Sequence, residues 1–494
     1  MRALISVWDK DGLDRFAAGL AELGYELVAS GGTAAYLEEL GLAVTPVEEL
    51  TEVPELLGGR VKTLHPAIHA GILARRDRDE DVAALDEYAI EPFDLVCVNL
   101  YPFERAREIE MIDVGGPALL RAAAKNHAHV AAVSRLEQYD PVLDELRAGG
   151  PTDATRRHLA ADAFALTAAY DAAIASWLTE VRLPERLALA FEKQLDLAYG
   201  ENPHQAGAYY AAREAEGHLL SGVEQLHGRQ LSFINLYDLS AARLLLAELE
   251  GPACVIVKHA NPCGVAIAPT IEDAYERALA CDPLSAFGLV CAVNRQVKRE
   301  LGEALAERFV DVLHAPDYDE PALEALRRKP NTRILRGGRA LPSGLDFKAV
   351  PGGLLVQERD EDLDDSIEIV CGEPTEEQRR DLLFALRVCK HVTSNAIVLA
   401  KEQATVGIGA GQQSRVDAVR LAVEKARDRG HDLAGAVLAS DALFPFPDGP
   451  LEALDAGVAA IVQPGGSKRD AEVIEAVAWA GAAMVFTGRR HFRH

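Results

Sequence analysis

The chain has 494 residues, 49% hydrophobic and 26% charged, with a formal charge of −26; it is too long for one hydrophobic core and requires two or three domains. The excess of acid repels phosphodiester backbones and argues against a nucleic-acid partner, while a small anion still fits a locally basic pocket; adaptation to high salt would give the same charge. No stretch reaches the roughly 20 apolar residues of a membrane span, the start MRALISVWDKDG turns polar too early for a signal peptide, and the scattered cysteines, none in a Cys-x-x-Cys pair, suit a reducing cytoplasm.

Residues 3–8 are short and apolar and read as a strand. Leu13, Phe16, Ala17, Leu20 and Leu23 then recur at helical spacing, with Gly24 as C-cap. Residues 25–29 form the next strand, Ser30-Gly31-Gly32-Thr33 the turn after it, and a second helix runs to Leu40. Further strands are expected at 95–99 and 130–134, and an alanine-rich helical pattern covers 152–179. This order predicts an α/β fold with a parallel sheet covered by helices on both faces. Leu183-Pro184 interrupts the pattern and sets the domain boundary, giving domains 1–183 and 184–494. The second domain is again mixed, with strands at 254–257, 289–293, 396–400, 436–439, 459–462 and 483–486 and helices such as 271–280 and 415–427. Residues 333–351, rich in glycine and proline, read as the join between subdomains of about 184–350 and 351–494. The two sides share a strand–loop–helix grammar, but no sequence repeat proves a duplication.

In the first domain, the glycines of Ser30-Gly31-Gly32-Thr33 let backbone approach a ligand at a helix N-terminus, where N–H groups favour an anion. A plain turn capped by threonine explains the same residues. Arg60, Lys62 and Thr63 converge in Gly58-Gly-Arg-Val-Lys-Thr-Leu-His-Pro66, a basic spot in an acidic protein that favours a phosphate site. Tyr101, in Asn99-Leu-Tyr-Pro-Phe103, follows a buried strand, where α/β sheets bind ligands. Asp113, in Ile112-Asp-Val-Gly-Gly116, precedes a helix that ends near Lys125; an N-cap and a dipole-favoured cation are the plainer roles of that pair.

The second domain contains Lys258-His259 in Cys254-Val-Ile-Val-Lys-His-Ala-Asn-Pro-Cys-Gly264. Neighbouring strand residues face opposite ways, so both serve one cleft only if the strand ends there, and Pro262 argues that it does. The ammonium disfavours protonation of the imidazole, which suits a base at neutral pH; a solvated lysine beside a backbone-satisfied histidine is the bland alternative. Polar loops recur at Tyr199-Gly-Glu-Asn-Pro-His204, Phe233-Ile-Asn235, Cys281-Asp-Pro-Leu-Ser-Ala-Phe-Gly288, Thr393-Ser-Asn395 and Gly407-Ile-Gly-Ala-Gly-Gln-Gln-Ser-Arg415. In the last, glycines lead into a helix capped by Ser414, and Arg415 opposes the dipole, a placement a bound anion would explain. Asp441-Ala-Leu-Phe-Pro-Phe-Pro-Asp448 offers a wall for a flat aromatic ligand, and Arg489-Arg-His-Phe-Arg-His494 reads equally well as an ordinary charged tail. A zinc-deaminase site is unlike this chain: Ala266 stands where a second cysteine belongs, and Asn261 where the glutamate does.

The ordered motifs SGGT, GGRVKTLHP, NLYPF, IDVGG, LLRAAAKNH, GENPHQ, KHANPCG, DPLSAFG, VGIGAGQQSR, FPFPDG and QPGGS make essentially the whole chain resemble the bifunctional AICAR transformylase/IMP cyclohydrolase family of purine biosynthesis. The resemblance implies a methylglyoxal-synthase-like domain followed by two cytidine-deaminase-like α/β subdomains without zinc. It implies formyl transfer from 10-formyltetrahydrofolate to the AICAR amine, then dehydrative closure of formyl-AICAR to IMP, with no metal required. It also implies a cytoplasmic homodimer whose transformylase sites draw on both chains.

By that resemblance His259 takes the amine proton, and Lys258 stabilises the formyl oxygen or protonates the departing folate nitrogen. Phe287, Gly288, Asp311, Asn395, Arg415, Phe446, Arg490 and His494 match positions that contact nucleotide or folate, and Tyr199, Asn235 and Asp448 join them as substrate-binding candidates. In the cyclohydrolase site Lys62, Tyr101, Asp113 and Lys125 would activate the amide nitrogen and formyl carbonyl, while Ser6, Ser30, Thr33, Arg60 and Thr63 hold phosphate and base. One position departs from the pattern. Ala198 stands where the family's arginine would contact the substrate phosphate, so another basic residue takes over or AICAR binds more weakly; the alternative is an enzyme with cyclohydrolase activity alone.

Overall fold

The computed structural model describes every residue except 55, 58–59, 213–217, 340–343 and 362–364. Gly58 and Gly59 of the basic stretch, and part of 333–351, lie outside the described residues. The chain divides into two compact units, the first built on Met1–Phe191 and the second running on to His494.

In the first unit the strands Val44–Pro46, Glu26–Ala29, Arg2–Val7, Leu95–Asn99 and Ala131–Val133 lie side by side in that order, all parallel. Ile5 packs with Leu13, Phe16 and Leu20 on one face, and Leu4 with Ile68, Leu119 and Leu120 on the other. Burial on both faces is why these strands are almost continuously apolar. Gly24, at φ 81, follows the Leu13–Glu22 helix as a left-handed residue past its end. Chain order reverses between Arg2–Val7 and Leu95–Asn99. The crevice beyond the carboxyl ends of two such strands is where open α/β sheets take ligands.

In the second unit twelve described strands form one mixed sheet. Their order is Glu368–Cys371, Ala483–Phe486, Ala460–Gln463, Val437–Ser440, Ile397–Lys401, Ala404–Gly409, Asn261–Ile267, Ala253–Lys258, Leu289–Val293, Val310–Ala315, Arg333–Gly337 and Val223–His227. The halves repeat one scheme outward from the centre: an antiparallel hairpin, an antiparallel neighbour, two parallel pairings and an antiparallel edge. They meet where Ala266 pairs with Ala404. Each half also has a helix opened by a capping box, Ser232 with Asn235 before Phe233–Ala247 and Thr375 with Gln378 before Glu376–Lys390. The shared grammar of the sequence is therefore a shared topology.

The strand that carries Lys258 does end at that residue, but Pro262 is not what ends it. The proline lies within Asn261–Ile267 beside a register shift, where a missing N–H is tolerated. Residues 333–351 are not a plain join either: Arg333–Gly337 runs parallel to Val310–Ala315, and Leu345–Val350 pairs with Gly353–Glu358 as a separate hairpin. Gly407 and Gly409 belong to a strand. A Cβ on them would stand 2.3 Å from the Ala422 carbonyl oxygen and 2.0 Å from that of Ala418, so these glycines serve close packing against the Arg415–Asp428 helix rather than approach to a ligand. Ser414 takes the N-cap position of that helix without a side-chain cap bond.

His314, in Val310–Ala315, is 3% exposed, and neither ring nitrogen has a hydrogen-bond partner among the described residues. Burial, helped by the nearby Arg243 guanidinium, pushes its pKa from 6.5 down to about 3. The unfolded chain takes up a proton that the folded one refuses, so stability is full above the unfolded pKa and is lost as pH falls toward the folded one. His314→Leu is expected to flatten the fall of the thermal midpoint between about pH 7 and about pH 5, measured by circular dichroism. An equally steep fall in the variant would contradict this.

Candidate active sites

The crevice of the first unit is a cavity of about 710 Å³ that receives Ser6, Ser30, Thr33, Arg60, Lys62, Thr63, Tyr101 and Asp113. Thr33 is not a cap: its hydroxyl donates to the Val7 carbonyl at 3.0 Å and accepts the Val7 N–H at 3.2 Å, tying the Gly31–Glu39 helix to the central strand. Ser30 holds the N-cap position with no side-chain cap bond. A Cβ on Gly31, at φ 47, would lie 2.8 Å from Lys62 Nζ, so glycine both allows the turn and leaves room for the ammonium. Arg60 forms an ion pair with Glu110.

Asp113 is held through its backbone and its side chain. Its N–H donates to the Tyr170 hydroxyl at 2.8 Å, Tyr170 donates onward to the Met111 carbonyl at 2.8 Å, and Asp113 Oδ1 accepts the Gly116 N–H at 2.8 Å, at the start of the Gly115–Lys125 helix. Burial raises the Asp113 pKa, against backbone N–H groups of Gly116, Tyr101 and Gly115 that favour the carboxylate. Lys125 does not line this crevice. It is exposed at the far end of the same helix, about 15 Å along the axis from Gly115, and lines a second, wider depression with Phe164 and Ile174 that Asp113 and Val114 also line.

Trp8, Lys10 and Asn99 are among the further residues that line the crevice. Lys10 Nζ lies 3.3 Å from Thr33 Oγ1 and bonds the Val7 carbonyl, and burial lowers its pKa. Asn99 Oδ1 accepts the N–H groups of Trp8 at 2.5 Å and Asp9 at 3.0 Å, and the Trp8 ring sits 4.9 Å from that of Tyr101. The signal for Lys10 was available: a cation directly after the first strand of a parallel sheet stands at the ligand-binding edge.

In the second unit Ala253–Lys258 and Asn261–Ile267 are joined by the turn His259-Ala260, with φ 54 and 58. Lys258 and His259 thus reach one end of the sheet through a hairpin turn. Lys258 Nζ donates to the carbonyls of Phe287 at 2.9 Å and Gly288 at 2.7 Å. A Cβ on Gly288 would lie 3.2 Å from that Nζ and 3.3 Å from Asp311 Oδ2, so these groups crowd around a bare backbone. Phe287 is 70% exposed and stacks on Phe309 at 5.0 Å. Arg333, its pKa lowered by burial, lies within electrostatic reach of Asp311, Tyr199 and Arg229.

A second group lines a cavity of about 810 Å³: Asn395, Arg415, Phe446, Asp448 and Arg490, with Phe492. Arg415 donates to Asn395 Oδ1 at 2.7 Å and Ser440 Oγ at 2.8 Å and pairs with the buried Asp441. Its counter-charge is therefore Asp441, which accounts for a cation in the first helical turn without a bound anion. Arg469 lies over the Phe446 ring at 4.9 Å and Arg490 over that of Phe492 at 4.5 Å, while the His494 ring meets Phe492 edge-on at 5.6 Å. Asn261, which the sequence reading did not single out, links the groups: Oδ1 accepts the Thr393 N–H at 2.8 Å and Nδ2 donates to the His259 carbonyl at 3.2 Å. Asn235 joins neither group; its side chain accepts the Ser232 N–H at 3.1 Å within the capping box, and the residue is buried. Among the described residues, no group of three or more histidines, cysteines or carboxylates could hold a metal ion, and no helix is long and apolar enough to cross a membrane.

A parallel-sheet unit with a cationic crevice at its switch point, followed by a duplicated mixed-sheet unit with a Lys-His hairpin, defines a two-centre α/β enzyme. A family model described as an MGS-like domain matches residues 12–130, and one described as the AICARFT/IMPCHase bienzyme matches residues 123–425. The bifunctional purine biosynthesis protein PurH of Persephonella marina is 48% identical over 512 residues, covering 100% of this chain and 99% of that one. The protein of the same name from Chloroflexus aurantiacus is 50% identical, with the same coverage. A solved structure titled "Crystal structure of ForH" is 41% identical over 36% of this chain and 96% of its own, with a TM-score of 0.34. The chain belongs to the AICARFT/IMPCHase bienzyme family.

Proposed function

We propose that the second unit transfers the formyl group of 10-formyltetrahydrofolate to the amine of AICAR and that the first closes formyl-AICAR to IMP. The observation that carries this reading is the presence of two chemically different centres in one member of the bienzyme family, the Lys258-His259 hairpin and the Lys62, Tyr101 and Asp113 crevice. In formyl transfer the amine nitrogen bonds the formyl carbon, His259 takes the amine proton, and the bond from that carbon to the folate nitrogen breaks as the nitrogen is protonated. Lys258, aimed by the Phe287 and Gly288 carbonyls, stabilises charge on the formyl oxygen. Such an amine is a poor nucleophile, so placement supplies much of the rate. Phe446, Phe492 and Arg490 form the wall for the flat folate ring.

In ring closure the amide nitrogen bonds the formyl carbon, whose carbonyl Lys62 and Tyr101 polarise; Asp113 exchanges a proton with that nitrogen, and the formyl oxygen leaves as water. Ser6, Ser30, Thr33, Arg60, Thr63 and Lys10 hold phosphate and base, and Lys125 is assigned no step. A cytoplasmic homodimer that shares its transformylase sites belongs to the same reading. Parallel assays of IMP formation from formyl-AICAR and from AICAR plus 10-formyltetrahydrofolate test it; activity with formyl-AICAR alone would leave a cyclohydrolase only.

Ala198 contributes only its backbone, donating to the Leu231 carbonyl at 2.9 Å. Positive charge within reach of Tyr199 comes instead from Arg333, which Arg229 neighbours in turn. Arg333→Gln is expected to raise the KM for AICAR about tenfold, as for loss of one charged hydrogen bond, with kcat within about twofold. An unchanged KM would remove Arg333 from phosphate binding.

A further inference from the structure

We propose that Asp238 is a positioning residue for formyl transfer: its buried carboxylate holds the backbone of the His259-Ala260 turn in the conformation that presents the imidazole beside Lys258. The inference rests on the reading of that pair given above. Asp238 lies in the second turn of the Phe233–Ala247 helix, is 4% exposed, and accepts the Ala260 N–H at 2.6 Å. Burial raises its pKa, and the N–H groups of Ala260 and His259 oppose that rise by stabilising the ionised form. His259 and Ala260 both have positive φ, a region that side chains other than glycine enter only when the surroundings hold them there. A carboxylate set against both peptide N–H groups supplies that hold, and Asn261 grips the His259 carbonyl from the other side at 3.2 Å.

The repeated half of the sheet shows the same device without the imidazole. Asp381, in the second turn of Glu376–Lys390, accepts the N–H groups of Glu402 and Gln403, each at 2.7 Å, and these residues have φ 53 and 54. Glu402 is occupied by an ion pair with Arg277 at 2.6 Å. The aspartate-clamped hairpin thus occurs twice, once beneath a candidate base and once beneath a spent surface carboxylate. A clamp that served only the fold would matter alike in both places, whereas one that aims a reacting group matters in the first.

The test compares Asp238→Ala, Asp238→Asn and Asp381→Asn in the full-length protein. Asp238→Ala is expected to lower kcat for formyl transfer about 30-fold to 100-fold, with the KM values for AICAR and 10-formyltetrahydrofolate within about twofold. Asp238→Asn, which keeps an acceptor oxygen, recovers part of that loss, and Asp381→Asn stays within about twofold of native. Ring closure of formyl-AICAR is unchanged in all three. A kcat for Asp238→Ala within about threefold of native overturns the proposal, as does an equal loss in Asp238→Asn and Asp381→Asn. If the alanine variant fails to fold, the two asparagine variants decide. The His259 ring resonances, assigned with His259→Gln, report placement without turnover: they move in Asp238→Asn and not in Asp381→Asn, and unmoved resonances overturn the proposal even if native formyl transfer, and with it the reading of Lys258-His259, proves absent.

Discussion

Replacing His259 with alanine is expected to lower kcat for formyl transfer about 10³-fold, the middle of the range for a lost general base, while formyl-AICAR still closes to IMP at the native rate. The duplicated sheet gives the reason for choosing the histidine over its neighbour. Lys401, which ends the strand before the second hairpin, donates to the Ala434 carbonyl at 2.8 Å much as Lys258 donates to Phe287 and Gly288. A lysine that grips carbonyls before the next strand is thus common to both halves. The imidazole is not: its place in the second hairpin is taken by Glu402. Formyl transfer is measured from AICAR and 10-formyltetrahydrofolate, and closure from formyl-AICAR in the same preparation. A loss of less than about tenfold would remove His259 as the base.

Asp113→Asn should be the most damaging conservative change in the first unit, lowering ring closure about 10²-fold with formyl transfer intact. Asparagine still accepts the Gly116 N–H that Asp113 accepts at 2.8 Å, so the helix start is preserved and only the charge and the exchangeable proton are lost. The pH profile carries the same assignment. Burial raises the Asp113 pKa, so the native carboxylate becomes protonated at a higher pH than an ordinary aspartate as the solution is acidified. If the ionised form is the base, the rate falls through that raised pKa, and the variant's small residual rate shows no such limb. A variant that keeps the native rate and the acid limb would exclude Asp113 from the proton transfer.

Much of the first unit was legible because its signals are local. The apolar runs at Arg2–Val7 and Leu95–Asn99, the helical spacing after Leu13 and the basic stretch at Arg60–Thr63 each announce themselves within a few residues. The parallel order follows from the alternation of strands and helices. Lys125 shows where such reasoning stops, since its motif neighbours Asp113 in sequence but the helix between them carries it away from the crevice.

By itself the sequence determined the fold class, the motifs that place the chain in its family, and a core of polar and aromatic candidates that the structure gathers at two places. The tertiary structure alone decided what the glycines and prolines are for, because their roles depend on what approaches them. Gly407 and Gly409 face helix carbonyls, Pro262 sits beside a register shift, and Arg415 finds its counter-charge in Asp441, all across distances that no local pattern encodes. The duplication was hidden for the same reason. Strand pairing is a long-range relation that diverging side chains preserve, and it takes both hairpins, with Asp238 under one and Asp381 under the other, to show that only the first carries an imidazole.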